Sequence, residues 1–172
     1  MIVAAALPLL LEHGDRVTTR QIAQAAGIAE GTIFRAFADK DELVAAVLEA
    51  ALDQAPLEAA IAAIDPSQPL DRAVAAAIAL LQQRVLDIWR IVSSVESRFH
   101  DSARRPMSDS HALVQLFERH RDALAVEPVV AARLLRGLTL ATTHPMLAGE
   151  QMSGDDVLRL FLHGVSSAPT AS

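Results

Sequence analysis

The chain has 172 residues, a formal net charge of −6, 52% hydrophobic residues and no cysteine. This length fits one compact body or two small packed ones, and the hydrophobic content is ample for a buried core, so a disordered chain is excluded. The lack of cysteine excludes disulfides, thiol catalysis and Cys-ligated zinc. The longest apolar stretch, residues 1–11, is too short for a membrane span and lacks the flanks of a signal peptide, so we expect a cytoplasmic protein with no membrane partner.

Alanine dominates the composition. The chain has 33 alanines, whereas aromatic residues amount to 3% and glycines number 7. Alanine loses no side-chain entropy in a helix, and it is the best helix former. The composition therefore predicts an all-α protein.

The first part of the chain predicts two helices joined through a cap. Residues 1–13 form an apolar helical segment, and Gly14 stands where a left-handed C-terminal cap is expected. Thr18 and Gln21 have the spacing of a capping box, in which the threonine hydroxyl accepts an early backbone N–H and the glutamine reaches back. A second helix is expected over 19–26.

A tight turn and a short helix follow. Gly27 permits the turn, and Ile28 can fill the space between the helices. A helix over 30–37 then places Ile33 and Phe37 on the same face. The pattern is helix, tight turn, helix.

The remaining elements are also predicted to be helical. Asp39 and Glu42 have capping geometry at the start of a helix that runs towards Pro56, and Ser153 with Asp156 caps the last helix. Residues 97–110 are interpreted as a loop or short helix, after which Ser108 or Asp109 caps the next helix, and residues 166–172 as a frayed end. The other expected helices are a short one within 57–70, a mostly buried one over 71–95, and one over 128–143.

The segment from Thr18 to Leu43 resembles the helix-turn-helix of the TetR family of bacterial transcriptional regulators. The resemblance rests on Ile22-Ala23, Ala26-Gly27-Ile28, Gly31-Thr32-Ile33-Phe34, Phe37, Lys40 and Leu43. It implies an all-α fold with an N-terminal three-helix helix-turn-helix DNA-binding domain, residues 1–48, and a helical ligand-binding and dimerisation domain, residues 49–172. It further implies a homodimer that binds palindromic operator DNA, most often as a repressor released by a small-molecule effector.

The second helix of such a motif lies in the major groove. Arg35 could donate twice to guanine there, and Glu30 could accept from the cytosine amino group. By resemblance, Thr32, Phe34 and Lys40 fall on phosphate-contact positions. The family usually has tyrosine where Phe34 stands, and Ala29 lacks a capping hydroxyl. The residues expected to contact DNA are Thr19, Arg20, Ala29, Glu30, Gly31, Thr32, Phe34, Arg35 and Lys40.

The charge of the first 48 residues leaves alternatives open. This segment has four basic and six acidic residues, a net charge of −2, whereas a DNA-binding domain is usually basic. A helical interaction module of the same fold that has lost sequence-specific DNA binding is therefore one alternative, and a bundle with merely solvated charges is another. The predicted positions favour DNA binding, because Arg20, Arg35 and Lys40 lie at helix ends that would face DNA.

The second part of the chain is expected to bind a small molecule and a second subunit. Trp89 fits a ligand platform or a core position, and its neighbours in an effector pocket would be Phe99, Met107, His111 and Phe117. The last two long helices have more apolar surface than a terminal hairpin needs, and Gly137 would let another helix approach. The expected dimer interface comprises Val130, Leu134, Gly137, Leu138, Leu158, Phe161, Leu162 and Val165.

Catalytic and metal sites are not predicted. His100, His111 and His120 are eleven and nine residues apart, and neither spacing stacks two ligands on one helix face. The sequence has no nucleophile elbow, phosphate loop or paired carboxylates. We therefore expect neither enzyme activity, nor a metal, nor a cofactor.

Overall fold

The computed structural model describes residues 1–95 and 109–165, and within these ranges the regular secondary structure is helical with no β-strand. The predicted all-α fold class is confirmed. The first half contains a 3-10 turn at Gly14–Arg16 and six helices: α1 (Ile2–His13), α2 (Thr19–Ala25), α3 (Glu30–Ala36), α4 (Lys40–Leu52), α5 (Ala55–Ala62) and α6 (Leu70–Ser94). The second half contains a 3-10 turn at Arg121–Ala123 and four helices: α7 (His111–Glu118), α8 (Pro128–Thr143), α9 (Pro145–Ala148) and α10 (Gly154–Val165).

The described residues fall into two compact units. The first comprises residues 1–53 and 87–95, so the last part of α6 belongs with the N-terminal helices. In this unit α1 packs on α2 and α4, and α2 packs on α3. Its core is filled by Ala6, Leu10, Val17, Ile22, Ala23, Ile33, Leu43, Val44, Val47, Leu48, Ala51, Ile91 and Val95.

The second unit comprises residues 54–86 and 109–165. Here α7 packs on α5 and α8, and α8 also packs on α9 and α10. Phe117 of α7 and Phe161 of α10 lie at the centre of its core, with ring centroids 5.6 Å apart. The side chain of Gln82 ties α6 to the loop before α10, because its amide donates to the carbonyl oxygen of Met152 at 3.0 Å.

Several local expectations are confirmed. Thr18 and Gln21 form the reciprocal capping box of α2, Asp39 accepts from the backbone N–H of Glu42, and Ser153 accepts from that of Asp156. Gly27 has a positive φ of 68°. These features are short-range, so a few neighbouring residues determine them.

Three expectations require correction. Ser110, not Asp109, caps α7, because its hydroxyl accepts from the N–H of Leu113 whereas Asp109 pairs with Arg133, and Ser108 lies outside the described residues. Gly14 has φ 58° and ψ −142°, which is not the left-handed helical cap. Helix α6 is only partly buried beyond Leu81, since residues 82–90 are half-buried or exposed. The interrupted stretch expected within 97–110 lies largely outside the described residues, as does the frayed end expected over 166–172.

Candidate nucleic-acid interface

Helices α2 and α3 form a helix-turn-helix around a small shared core. Ile22 of α2 and Ile33 of α3 are both fully buried, and Ala23 is nearly so. The turn between the helices is closed by hydrogen bonds from Gly27 N to Gln24 O at 3.1 Å and from Ile28 N to Ala23 O at 3.0 Å. Since apolar residues fix α3 against α2 from one side, its other side is left for solvent or a partner.

The residues expected to contact DNA lie on the accessible surface of this motif. Six of them are exposed, namely Arg20, Ala29, Glu30, Gly31, Phe34 and Arg35, and the other three, Thr19, Thr32 and Lys40, are half-buried. Phe34 is the notable case, because a phenylalanine in the middle of a short helix is 51% exposed. The exposed half of this apolar ring can contact the surface of a partner.

One hydrogen bond links the first residues of α2 and α3. The hydroxyl of Thr19 donates to Oε1 of Glu30 over 2.6 Å. Such a length is typical of a hydroxyl bonded to an ionised carboxylate. Both residues are expected at the interface from the sequence, but their spacing of eleven residues gives no sign of this pairing.

Two of the acidic side chains in this region cap the start of α4. Oδ1 of Asp39 accepts from Glu42 N at 2.8 Å, and Oε2 of Glu42 accepts from Ala38 N at 2.5 Å. Asp39 therefore satisfies a free N–H group of α4, Glu42 bonds back to the backbone just before the cap, and both charges lie at the positive end of the helix. The net charge of −2 over residues 1–48 therefore overstates the negative charge of the α2–α3 surface, because the charges of Asp39 and Glu42 lie at the start of α4.

Gly31 has no internal packing reason to be glycine. A Cβ atom built at this position would meet no described atom within 4 Å, and its φ is not positive. Glycine inside a helix costs about 0.5–1 kcal/mol relative to alanine. A close approach of another molecule to this backbone would explain the choice.

The residues expected to line an effector pocket differ in burial and lie in different units of the structure. Trp89 is half-buried in the part of α6 that belongs to the first unit, whereas His111 is exposed at the start of α7 in the second unit. Phe117 is fully buried in the core of the second unit. Phe99 and Met107 lie outside the described residues.

The expected dimer residues share one side of α8 and part of α10. Val130 and Leu134 are 38% and 47% exposed, and a Cβ atom at Gly137 would meet no described atom within 4 Å. Leu138, Leu158 and Leu162 are half-buried, Phe161 is buried within the protomer core, and the side chain of Val165 lies outside the described set. The opposite side of α8 faces the core through Ala131, Ala132, Leu135, Thr139 and Thr143.

The second unit has three further exposed large apolar residues that the sequence pattern did not indicate. Leu160 of α10 is 52% exposed, and Met146 and Leu147 of α9 are 74% and 63% exposed. Leu160 could have been found, because it follows Leu158 by two residues and cannot share its helix face. Residues 146 and 147 lie between Pro145 and Gly149, in a segment too short for a helical period to give a signal.

A salt bridge fixes the outer side of α8. The guanidinium of Arg133 donates to both carboxylate oxygens of Asp109 at 2.7 Å. The hydrogen bond from Arg133 lowers the pKa of Asp109, and the positive charges of Arg133 and Arg136 act in the same direction. This pair explains why Asp109 is not the cap of α7.

Within the part of the chain that the structure describes, no group of three or more His, Asp or Glu side chains could hold a metal ion. No helix in the same ranges is long and apolar enough to cross a membrane.

Residues 2–47 match the family model described as bacterial regulatory proteins, tetR family. The match covers α1, α2, α3 and most of α4, including every residue discussed above as a DNA-contact candidate. No curated protein matches the sequence significantly.

Solved structures resemble nearly the whole chain. A protein described as a TetR-family regulator from Mesorhizobium loti has a TM-score of 0.66 at 16% identity, with 96% of this chain and 95% of that chain covered. A transcriptional regulator from Rhodococcus sp. has a TM-score of 0.62 at 20% identity, covering 98% and 97%. NalD of Pseudomonas aeruginosa, described as the secondary repressor of the MexAB-OprM multidrug efflux pump, has a TM-score of 0.57 at 23% identity, covering 98% and 96%.

The family match and these likenesses agree with the resemblance seen in the sequence. Residues 2–47 of this chain thus match the tetR family of bacterial regulatory proteins, and the chain as a whole has the fold of solved TetR-family transcriptional regulators.

Proposed function

We propose that this protein is a transcriptional repressor that binds palindromic operator DNA as a homodimer and is released by a small-molecule effector. The observation that carries the proposal is the surface of α2 and α3, where Arg20, Glu30 and Arg35 are exposed while Ile22 and Ile33 are buried in the core of the same unit. A recognition helix needs this combination, because it must be held rigidly from behind while it presents hydrogen-bonding groups to base edges. The domain division at residues 1–48 and 49–172 is part of the proposal.

The dimer is supported by the exposed apolar side of α8. Val130 and Leu134 follow each other by four residues and are both substantially exposed, and Leu160 adds exposed area on α10. Gly137 leaves room on the same helix for close packing. Apolar helix surface of this kind is typical of homodimer interfaces, and a two-fold dimer matches a palindromic operator.

The repressor role is supported by a structurally similar protein that is described as a repressor. NalD, which shares the fold over nearly its whole length, is described as a repressor. A regulator that acts on chromosomal DNA works in the cytoplasm. For the effector, Trp89 is the best candidate contact, because its side chain is half-buried while Phe117 is enclosed in the core and has no surface to offer.

A gel-retardation experiment on random-sequence duplex DNA tests whether the protein binds DNA, on which the rest of the proposal depends. Binding should weaken steeply with salt, because Arg20, Arg35 and Lys40 of two subunits neutralise up to about six phosphates and give a slope of log affinity against log salt near −5. The alternative, an interaction module without DNA binding, predicts no retarded band at low salt.

A further inference from the structure

We propose that Thr19 is a positioning residue for Glu30, and that the two together read a cytosine of the operator. This inference rests on the proposed function. Thr19 is the first residue of α2 and Glu30 is the first residue of α3, and the hydroxyl of the former donates to Oε1 of the latter at 2.6 Å.

The bond changes what Thr19 can do. A threonine hydroxyl has one hydrogen to donate, and here that hydrogen is directed to Glu30. A phosphate only accepts hydrogen bonds, so it would have to displace the carboxylate from Thr19, and it would be repelled by the charge of Glu30. Thr19 is therefore better placed to orient Glu30 than to hold the DNA backbone.

The bond also fixes what Glu30 can recognise. An ionised carboxylate only accepts, and among the described residues its second oxygen, Oε2, has no hydrogen-bond partner. In the major groove, guanine presents N7 and O6 and thymine presents O4, which are all acceptors and would repel this oxygen. Cytosine presents the N4 amino group alone, whereas the amino group of adenine lies beside the acceptor N7. A carboxylate held at one oxygen thus selects cytosine.

The remainder of the surface suits this assignment. The guanine paired with that cytosine offers two acceptors to a basic side chain, and Arg20 and Arg35 are both exposed on the same motif. Without an anchor, Glu30 at an exposed helix start would sample several rotamers. The hydroxyl of Thr19 removes part of that freedom before DNA is bound, which lowers the ordering cost on binding.

The test compares operator selection from a random DNA pool for the wild type and for T19V, T19S and E30Q. Affinities are then measured on the selected site and on its three variants at the affected base pair. Wild type should prefer C·G there by about tenfold. E30Q and T19V should both lose most of this preference, T19S should keep it, and the T19V/E30Q double variant should discriminate no worse than either single variant. T32V is the contrast, because a phosphate contact should weaken binding to all sequences alike.

Other outcomes overturn the assignment. If T19V weakens binding to all sequences equally and keeps the base preference, Thr19 is a phosphate contact. If E30Q keeps the preference, Glu30 does not read the base. If the wild type binds no DNA at all, the proposed function itself fails, which is a distinct result. Thermal unfolding of each variant, followed by circular dichroism, verifies that the helix-turn-helix is folded.

Discussion

Gly14 lies so close to Ser94 that a Cβ atom on the glycine would be 2.7 Å from the Ser94 carbonyl oxygen. Gly14 also has φ 58° and ψ −142°, a backbone conformation that residues other than glycine rarely adopt. Space and backbone conformation therefore both require glycine where α1 ends. This position joins the N-terminal helices to the end of α6 within the first unit.

Gly14→Ala should destabilise the protein strongly. We expect a loss of about 2–4 kcal/mol in the free energy of unfolding, because backbone strain and a clash with a main-chain oxygen add. Gly27→Ala is the matched control, since Gly27 also has a positive φ of 68° but no described atom within 4 Å of its Cβ position. It should lose only about 1–2 kcal/mol. Urea unfolding measures both, and equal losses would contradict the role of Ser94.

Gly31→Ala should change stability and DNA binding in opposite directions. The site has room for a methyl group and a helical backbone, so the free energy of unfolding should rise by about 0.4–1 kcal/mol. DNA affinity should fall, because the added Cβ keeps phosphate from the backbone. Urea unfolding and gel retardation test the two signs, and unchanged DNA affinity would mean that this backbone does not approach DNA.

Arg35→Ala and Lys40→Ala should differ in kind. Arg35 is exposed on α3 and is proposed to read base edges, so its loss should reduce the preference for operator over random DNA by about 5- to 150-fold. Lys40 begins α4, and its loss should weaken binding to both DNAs and reduce the salt slope by about 1 per contact. If both variants behave alike, the roles are assigned wrongly.

Stability should depend on pH through Asp109 and Arg133. Arg133 lowers the pKa of Asp109 in the folded state, so this contribution is complete above the unfolded value of about 3.9 and is lost as the pH falls through the folded value. Asp109→Asn should therefore be less stable than wild type at pH 7, and the difference should shrink below about pH 4. Arg133→Gln should show the same trend in urea unfolding. A difference that is constant with pH would exclude the ion pair as its cause.

Leu134→Glu should produce monomers. Leu134 is 47% exposed in the single chain, so the folded protomer tolerates the charge, whereas a dimer would bury it without a partner at a cost of several kcal/mol. DNA affinity should fall by about 100-fold or more, since a monomer reads one half-site. Ala59→Glu on the exposed side of α5 is the control and should remain dimeric. Sedimentation that shows a dimer for Leu134→Glu would place the interface elsewhere.

The sequence predicted the features that depend on near neighbours. The Thr18–Gln21 box, the positive φ of Gly27 and the buried Ile33 each follow from residues within one or two turns, and the family motif lies in the same stretch. Side-chain pairing over longer distances was not predictable in this way. Thr19 and Glu30 are eleven residues apart, and no hydrophobic period encodes a polar bond across a turn.

In the second unit, too, features that depend on residues far apart in the sequence could not be predicted from it. Asp109 and Ser110 both have side chains that can cap a helix, but Asp109 pairs instead with Arg133, which is 24 residues further along the chain. Phe117 has the helical spacing of either a pocket wall or a core residue. Its contact with Phe161 of α10 makes it a core residue, and that partner comes from a separate helix.

Selection of bound sequences from a random DNA pool by the wild-type protein tests whether it recognises an operator as a dimer, because the selected sequences report binding, symmetry and spacing at once. Dimeric operator recognition predicts enrichment of two inverted copies of one half-site at a constant spacing, with a C·G pair where Glu30 reaches the groove. A pool that yields no common sequence would contradict dimeric operator recognition, and so would a pool that yields only a single unpaired half-site.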